Sequence, residues 1–348
     1  MRKLMPRWLG WPFRRQREQT LIETDPALPV EAIAPAQLET RGCAWAAGAS
    51  DQGRNRPNNE DDFLLSPERC LFIVCDGMGG HAAGEVASGE AIEALDELLP
   101  AESLARALAA GDESVESLLR EALQQANERM VALGQKNSSW AGMASTAVIG
   151  VLHGTRLHVS NLGDSRAYRV RGFDFAQPGP TPSSVEGRGD QITLLTRDHS
   201  VAAALVDQGQ LTPEQARMHP LRNHLTASLG IPQPVTPAYT CVAVQPGDRI
   251  VLCSDGLWDM LSDAEIAHLS IGHPDPHEAV KALISAANAA GGLDNITVIV
   301  VAVGAEKPAG DEQALAATLV EAAEPALATE PCMSGQPAPS PPPQGAAQ

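Results

Sequence analysis

The sequence predicts an α+β fold with antiparallel sheets, and three observations lead to it. Strand-like apolar runs cluster and are then followed by helical segments, instead of alternating one for one as βαβ units do. The run Leu71-Phe-Ile-Val-Cys75 leads straight into Asp76-Gly77-Met78-Gly79-Gly80-His81, so a buried strand ends in a carboxylate and a glycine-rich turn. Two more such runs, Ile250-Val-Leu-Cys-Ser254 and Ile296-Thr-Val-Ile-Val300, abut Asp255-Gly256 and Asp294-Asn295.

Taken in order, residues 1–36 read as a leader outside the core. Arg2, Lys3, Arg7, Arg14, Arg15 and Arg17 alternate with Trp8, Leu9, Trp11 and Phe13, and Pro6 and Pro12 interrupt the segment, unlike a signal peptide. A basic stretch with tryptophans can rest weakly on an anionic membrane surface through residues 1–17. The reading preferred here is a disordered basic leader, with Thr20 to Ala36 as a proline-containing linker. One folded domain is expected over residues 37–304. Within it, Cys43 to Ala49 and Asp62 to Leu65 read as strands flanking a polar loop, and a helix follows the turn at Asp76 from Ala82 to Leu99. Glu113 to Leu133 is a second helix, with Leu118, Leu119, Ala122, Ala126, Met130 and Leu133 on one stripe. Ser145 to Leu152, Arg156 to Asn161 and Arg166 to Arg171 then read as an antiparallel meander. A proline-rich loop over Gly172 to Asp190 leads to a strand at Ile192 to Leu195, and short helices from Ala202 to Leu229 form a surface subdomain. Cys241 to Val244 and Arg249 to Cys253 read as a strand pair around Pro246-Gly247-Asp248, before a helix at Glu278 to Ala290 and a closing strand at Ile296 to Val303. Residues 305–348 turn to Ala, Pro, Glu and Gln, a composition that cannot bury enough surface to order itself, beyond a short helix near Gln313 to Ala323.

The net charge of −18 argues against nucleic acid as the main partner, since a phosphate backbone requires a basic surface. The six cysteines show no CxxC spacing, which points to free thiols in a reducing, cytoplasmic setting without a disulfide framework. No apolar run approaches the ~20 residues of a membrane span.

The chemistry gathers at strand ends. Glu60-Asp61, Asp76, Asp255 and Asp294 each sit where a buried strand begins or stops. One such acid is usually a turn former, but the repetition is a stronger signal. Oxygen donors without a histidine cluster suit hard cations, Mg²⁺ or Mn²⁺, and two of these form a hydrolytic centre. Arg56 beside Glu60 offers a planar fork for a phosphate.

These residues fall into seven ordered motifs: Gly53-x-x-Arg56-x-x-Asn59-Glu60-Asp61, Asp76-Gly-Met-Gly-Gly-His81, Gly163-Asp-Ser-Arg166, Leu195-Thr-Arg-Asp-His-Ser200, Asn223-x-Leu-Thr-x-x-Leu-Gly230, Ser254-Asp-Gly-Leu-Trp-Asp259 and Asp294-Asn295. Together, over about residues 40–303, they resemble the metal-dependent Ser/Thr protein phosphatases of type 2C in their bacterial form. The resemblance implies a four-layer α-β-β-α sandwich of two antiparallel sheets with a metal cleft at one end. It implies that Asp76 bridges two ions, with Glu60 and the Gly77 carbonyl on one and Asp255 and Asp294 on the other. Asp61 would support the water network at the metals, and Arg56 would bind the substrate phosphate. Asp164 and Asp259 match positions that hold a third ion with Asp255; for Asp164 a hairpin-turn role is an equal alternative. A histidine that directly follows Asp-Gly in eukaryotic members is replaced by Met78, and His81 reads as a capping or packing residue. One general acid is worth ~10²–10⁴, against an acceleration approaching ~10²¹ for monoester hydrolysis, so its absence is tolerable.

The implied activity is hydrolysis of phosphoserine and phosphothreonine by a metal-bridging hydroxide, in a monomer that counteracts a Ser/Thr kinase. The alternative is a phosphatase fold that binds a kinase or phosphoprotein without turnover.

Overall fold

The computed structural model describes residues 45–79, 83–171 and 192–304, with the backbone alone at 31–33 and 191. The basic leader at 1–17, His81, the loop at 172–190 and the tail from 305 onward lie outside the described residues.

The first strands are β1 (Glu31–Ile33), β2 (Trp45–Asp51), β3 (Asp61–Ser66) and β4 (Leu71–Met78). Helices α1 (Ala83–Leu98), α2 (Ala101–Ala110) and α3 (Asp112–Lys136) follow, then β5 (Ala144–Ser145), β6 (Ala147–His153), β7 (Arg156–Leu162), β8 (Arg166–Arg171) and β9 (Gln191–Leu194). The chain continues through α4 (Val201–Asp207), α5 (Pro213–Arg217), β10 (Ala238–Ala243) and β11 (Arg249–Cys253). It closes with α6 (Asp255–Trp258), α7 (Asp263–Gly272), α8 (Pro276–Ala289) and β12 (Ile296–Ala302). One sheet runs β1-β2-β12-β11-β8-β9; the other runs β10-β7-β6-β4-β3, with β5 also paired to β4.

Alternation along the strands builds four layers from these two sheets. In β4, Leu71, Ile73 and Cys75 face α1, α2 and α3 in one apolar cluster, while Phe72 and Val74 join a second cluster between the sheets. In β12, Ile299 and Val301 enter that inter-sheet core, whereas Ile296, Val298 and Val300 pack against α6, α7 and α8. Both faces of each central strand are therefore buried, which is why these strands read as unbroken apolar runs. Small residues Ala87, Ala91 and Ala94 on α1 let that helix lie close to β4.

Three strand assignments need correction. The expected meander is broken after its second strand: β6 pairs with β7, but β8 pairs with β11 and β9 in the other sheet. The intervening Leu162-Gly-Asp-Ser165 is buried rather than a surface turn, and Gly163, at φ +100°, redirects the chain across the inter-sheet gap. Likewise β10 and β11 are not paired with each other; β10 lies on β7 at the edge of one sheet and β11 in the interior of the other. Glu31–Ile33, within the stretch read as linker, pairs with β2 as an edge strand. Cys75, Cys241 and Cys253 are free thiols, but Cys70 is disulfide-bonded, so the expectation of thiols throughout is corrected there. No helix among the described residues is long and apolar enough to cross a membrane.

Candidate metal centre

A cleft of about 210 Å³ opens where β4 and β11 end and β12 begins. Its lining includes Arg56, Glu60, Asp76, Gly77, Asp164, Asp255 and Asp294, contributed by both sheets. Asp164 reaches it because the chain crosses between the sheets at that point, so the hairpin-turn alternative does not hold.

Backbone pairing sets the positions of the acids. Asp61 and Asp76 stand directly opposite each other on β3 and β4, and the Gly77 N–H donates to the Glu60 carbonyl at 3.0 Å. Like charges facing across an antiparallel pair are unfavourable unless something else neutralises them. The Asp76 backbone is held on its other side: its N–H donates to Thr146 Oγ1 at 2.9 Å and its carbonyl accepts from the Thr146 N–H at 2.8 Å. Thr146 in turn shares a hydrogen bond with Ser165 at 2.7 Å. Glycine permits the close approach of α1. A Cβ on Gly77 would lie 2.0 Å from the Gly84 carbonyl oxygen, and one on Gly84 would lie 2.5 Å from the Glu60 carboxyl group.

Asn295 clamps the loop that carries Arg56 and Glu60. Its Nδ2 donates to the carbonyls of Gln52 and Asn58, each at 2.9 Å, and its Oδ1 accepts from the Glu60 N–H at 2.9 Å. Arg56 donates to Asp294 Oδ2 at 2.6 Å and lies 4.0 Å from Glu60. Asp61 and Asp259 do not line the cleft. Asp61 Oδ2 accepts from the hydroxyls of Ser254 and Thr297, both at 2.7 Å, and Asp259 pairs with Arg222 at 3.1 Å.

The electrostatics call for cations. Burial, then the charges of Asp61, Asp255, Asp164 and Asp294, push the Asp76 carboxyl far above the usual carboxylate range. Asp255 is raised in the same way, by burial and then chiefly by Asp164 and Asp294. Asp61 and Asp164 are each pushed up to about 7, mainly by burial. Asp255 Oδ1 is buried without any hydrogen-bond partner. An orphaned oxygen among mutually repelling carboxylates fits hard divalent cations, and the donors are all oxygen.

Sequence reasoning gave no role to Thr146, Asn223 or Leu225. The last two line the cleft from the segment after α5, and the Asn223-x-Leu225 motif was their legible signal. A larger cavity, about 270 Å³, lies under α4 and α5, but its four arginines, Arg166, Arg197, Arg217 and Arg222, are each paired with an aspartate.

A family model described as protein phosphatase 2C matches residues 47–294. Serine/threonine phosphatase stp of Listeria innocua is 32% identical over 255 residues, 72% of this chain and 93% of that protein. The crystal structure of Stp1 from Staphylococcus aureus superposes with a TM-score of 0.66 at 31% identity, covering 78% of this chain and 99% of that one. The catalytic domain of the phosphatase PstP, solved in complex with two manganese ions, gives a TM-score of 0.60 at 33% identity, covering 75% of this chain and 98% of that domain.

Proposed function

The chain belongs to the protein phosphatase 2C family, and from that premise we propose that it hydrolyses phosphoserine and phosphothreonine in protein substrates with Mn²⁺ or Mg²⁺ in the carboxylate cleft. The observation that carries this reading is the unsatisfied Asp255 Oδ1 within a cluster of buried, mutually repelling acids. Asp76 would bridge two cations, Glu60 and the Gly77 carbonyl would serve one of them, and Asp255 and Asp294 the other. Asp164, with Asp255 and Asp259, would hold a third; Asp259 must then give up its ion pair with Arg222. When bound, the cations supply a water of lowered pKa and neutralise charge on the phosphoryl oxygens.

The chain's own residues bind and orient the substrate. The Arg56 side chain is 45% exposed, so its guanidinium can meet an incoming phosphate with two parallel N–H donors. Arg56 would exchange Asp294 for the substrate phosphate once that carboxylate holds a cation. The described lining residues include no Ser, Cys or His, and the carboxylates would be taken up in holding cations, so the proposed nucleophile is water. Asp61, held by Ser254 and Thr297, acts behind the cleft on the order of its waters.

Phosphoproteins made by a Ser/Thr kinase are the proposed substrates, and the cytoplasm the proposed place of action of a monomer. The segment from Val201 to Leu229, which brings Asn223 and Leu225 to the cleft, is proposed to tune access. The test is release of phosphate from phosphoserine and phosphothreonine peptides. Activity is expected to vanish with EDTA, return with Mn²⁺ or Mg²⁺, and be lost in Asp76→Asn and Asp255→Asn. Full turnover by either variant overturns the assignment. A wild-type protein that binds phosphopeptides without releasing phosphate identifies a non-catalytic module instead.

A further inference from the structure

A second group of metal-binding side chains sits away from the cleft. A carboxylate oxygen of Asp112, a ring nitrogen of His158 and Sγ of Cys241 all lie within 4.8 Å of one another. Three elements bring them together. Cys241 on the edge strand β10 is directly opposite His158 on β7, and Asp112 is the first residue of α3. None of the three lines the carboxylate cleft.

We propose that Asp112, His158 and Cys241 bind a Zn²⁺ ion, with water completing a tetrahedral site. Three observations support it. The donors are a carboxylate, an imidazole and a thiol, a mixture that suits zinc and is poor for Mn²⁺ or Mg²⁺. The imidazole is already oriented. Tyr239 Oη lies 2.8 Å from His158 Nδ1 and 3.2 Å from the Asp112 carbonyl, and it also hydrogen-bonds Cys241. The hydrogen bond at Nδ1 holds the ring in place, as a neighbour commonly does for a ligating histidine. Finally, the charge of the site is occupied by a substitute. Arg156, across β10 from Ala243, pairs with Asp112 and also hydrogen-bonds Cys241. A zinc ion displaces this exposed guanidinium, and the Cys241 thiol proton passes to the buffer. The ion then ties the edge of one sheet to the first turn of α3.

Cobalt provides the test, because a thiolate on Co²⁺ gives a near-ultraviolet charge-transfer band that an all-oxygen cleft cannot produce. The full chain, stripped of metal and kept reduced, is titrated with Co²⁺ and then with Zn²⁺ as competitor. A one-equivalent band displaced by Zn²⁺ is expected in wild type, and none in Cys241→Ser. Binding should weaken at least tenfold in His158→Ala and tighten about two- to fivefold in Arg156→Gln, which no longer has an ion pair to break. Mn²⁺-dependent phosphatase activity verifies that each variant folds. No band in wild type, a band that survives Cys241→Ser, or no tightening in Arg156→Gln overturns the proposal.

Discussion

Replacing Asn295 with alanine should release the loop between β2 and β3 from β12, and the structure sets the size of the effect. The side chain is 4% exposed and makes three hydrogen bonds, two to carbonyls and one from the Glu60 N–H. At about 1 kcal/mol net for each, their loss amounts to ~3 kcal/mol. Gln52 and Asn58 lie at the surface, so water re-satisfies their carbonyls and spares most of the further ~1–3 kcal/mol that each dry group would cost. For a domain of this order, about 2–4 °C per kcal/mol gives a melting temperature roughly 6–12 °C lower. The freed loop carries Arg56 and Glu60, which must then be ordered as metal binds, so Mn²⁺ affinity should fall as well. Urea unfolding of the metal-free protein and calorimetric titration with Mn²⁺ measure the two effects. Asn295→Asp keeps the acceptor, loses both donors and adds a charge beside Asp294, and should be at least as damaging. An alanine variant within about 0.5 kcal/mol of wild type, with unchanged Mn²⁺ affinity, would refute the clamp.

Other outcomes follow from the same geometry. Asp61 and Asp164 titrate near 7 in the folded chain, well above an ordinary aspartate, so their contribution is fully present below about pH 4 and is lost as pH rises through about 7. The metal-free protein should therefore melt lower at about pH 8 than at about pH 5, with Mn²⁺ closing most of the gap; a flat or rising profile in EDTA contradicts this. Asp255→Asn removes a buried acid that is costly to ionise and should raise metal-free stability at alkaline pH while abolishing turnover, an opposition that differential scanning calorimetry and a phosphopeptide assay would expose. Loss of both stability and turnover would argue against electrostatic strain. Gly84→Ala, in the first turn of α1, should gain less helix propensity than the ~1 kcal/mol of a helix interior and push the Glu60 carboxylate aside, weakening Mn²⁺ binding with little change in melting temperature. Unaltered Mn²⁺ affinity would show that Glu60 has room to move without consequence.

Much of this architecture is legible in the sequence because burial on both faces leaves a plain mark. Leu71 to Cys75 and Ile296 to Val300 read as strands since every apolar position enters one core or another and Thr297 among them is buried as well. The cleft acids are legible for a related reason, in that each interrupts such a run where the apolar pattern stops. Sheet membership is not legible in this way. Alternation within β7 and β8, or β10 and β11, is satisfied equally by a hairpin and by a crossing between sheets, and the strand pairing alone separates the two. Helix α7 was missed although Ser262-x-x-Glu265 is a capping box, because the segment follows the Asp255 motif and reads as its continuation. The parts played by Thr146, Ser254 and Asn295 depend on which backbone groups come to lie beside them, so pairing must exist before those roles do.

The sheet order β2-β12-β11 has a further consequence for the protein as it is being made. The last described strand, β12, inserts between an early one and a late one, and Asp294, at its threshold, is synthesised after every other cleft acid. A chain still emerging from the ribosome can complete the helical layer over β4 while one side of the cleft has no strand beside it. On the ligand set proposed above, the growing polypeptide cannot remove phosphate until Asp294 and the strand it precedes have joined acids made much earlier, so that activity reports a domain folded through β12.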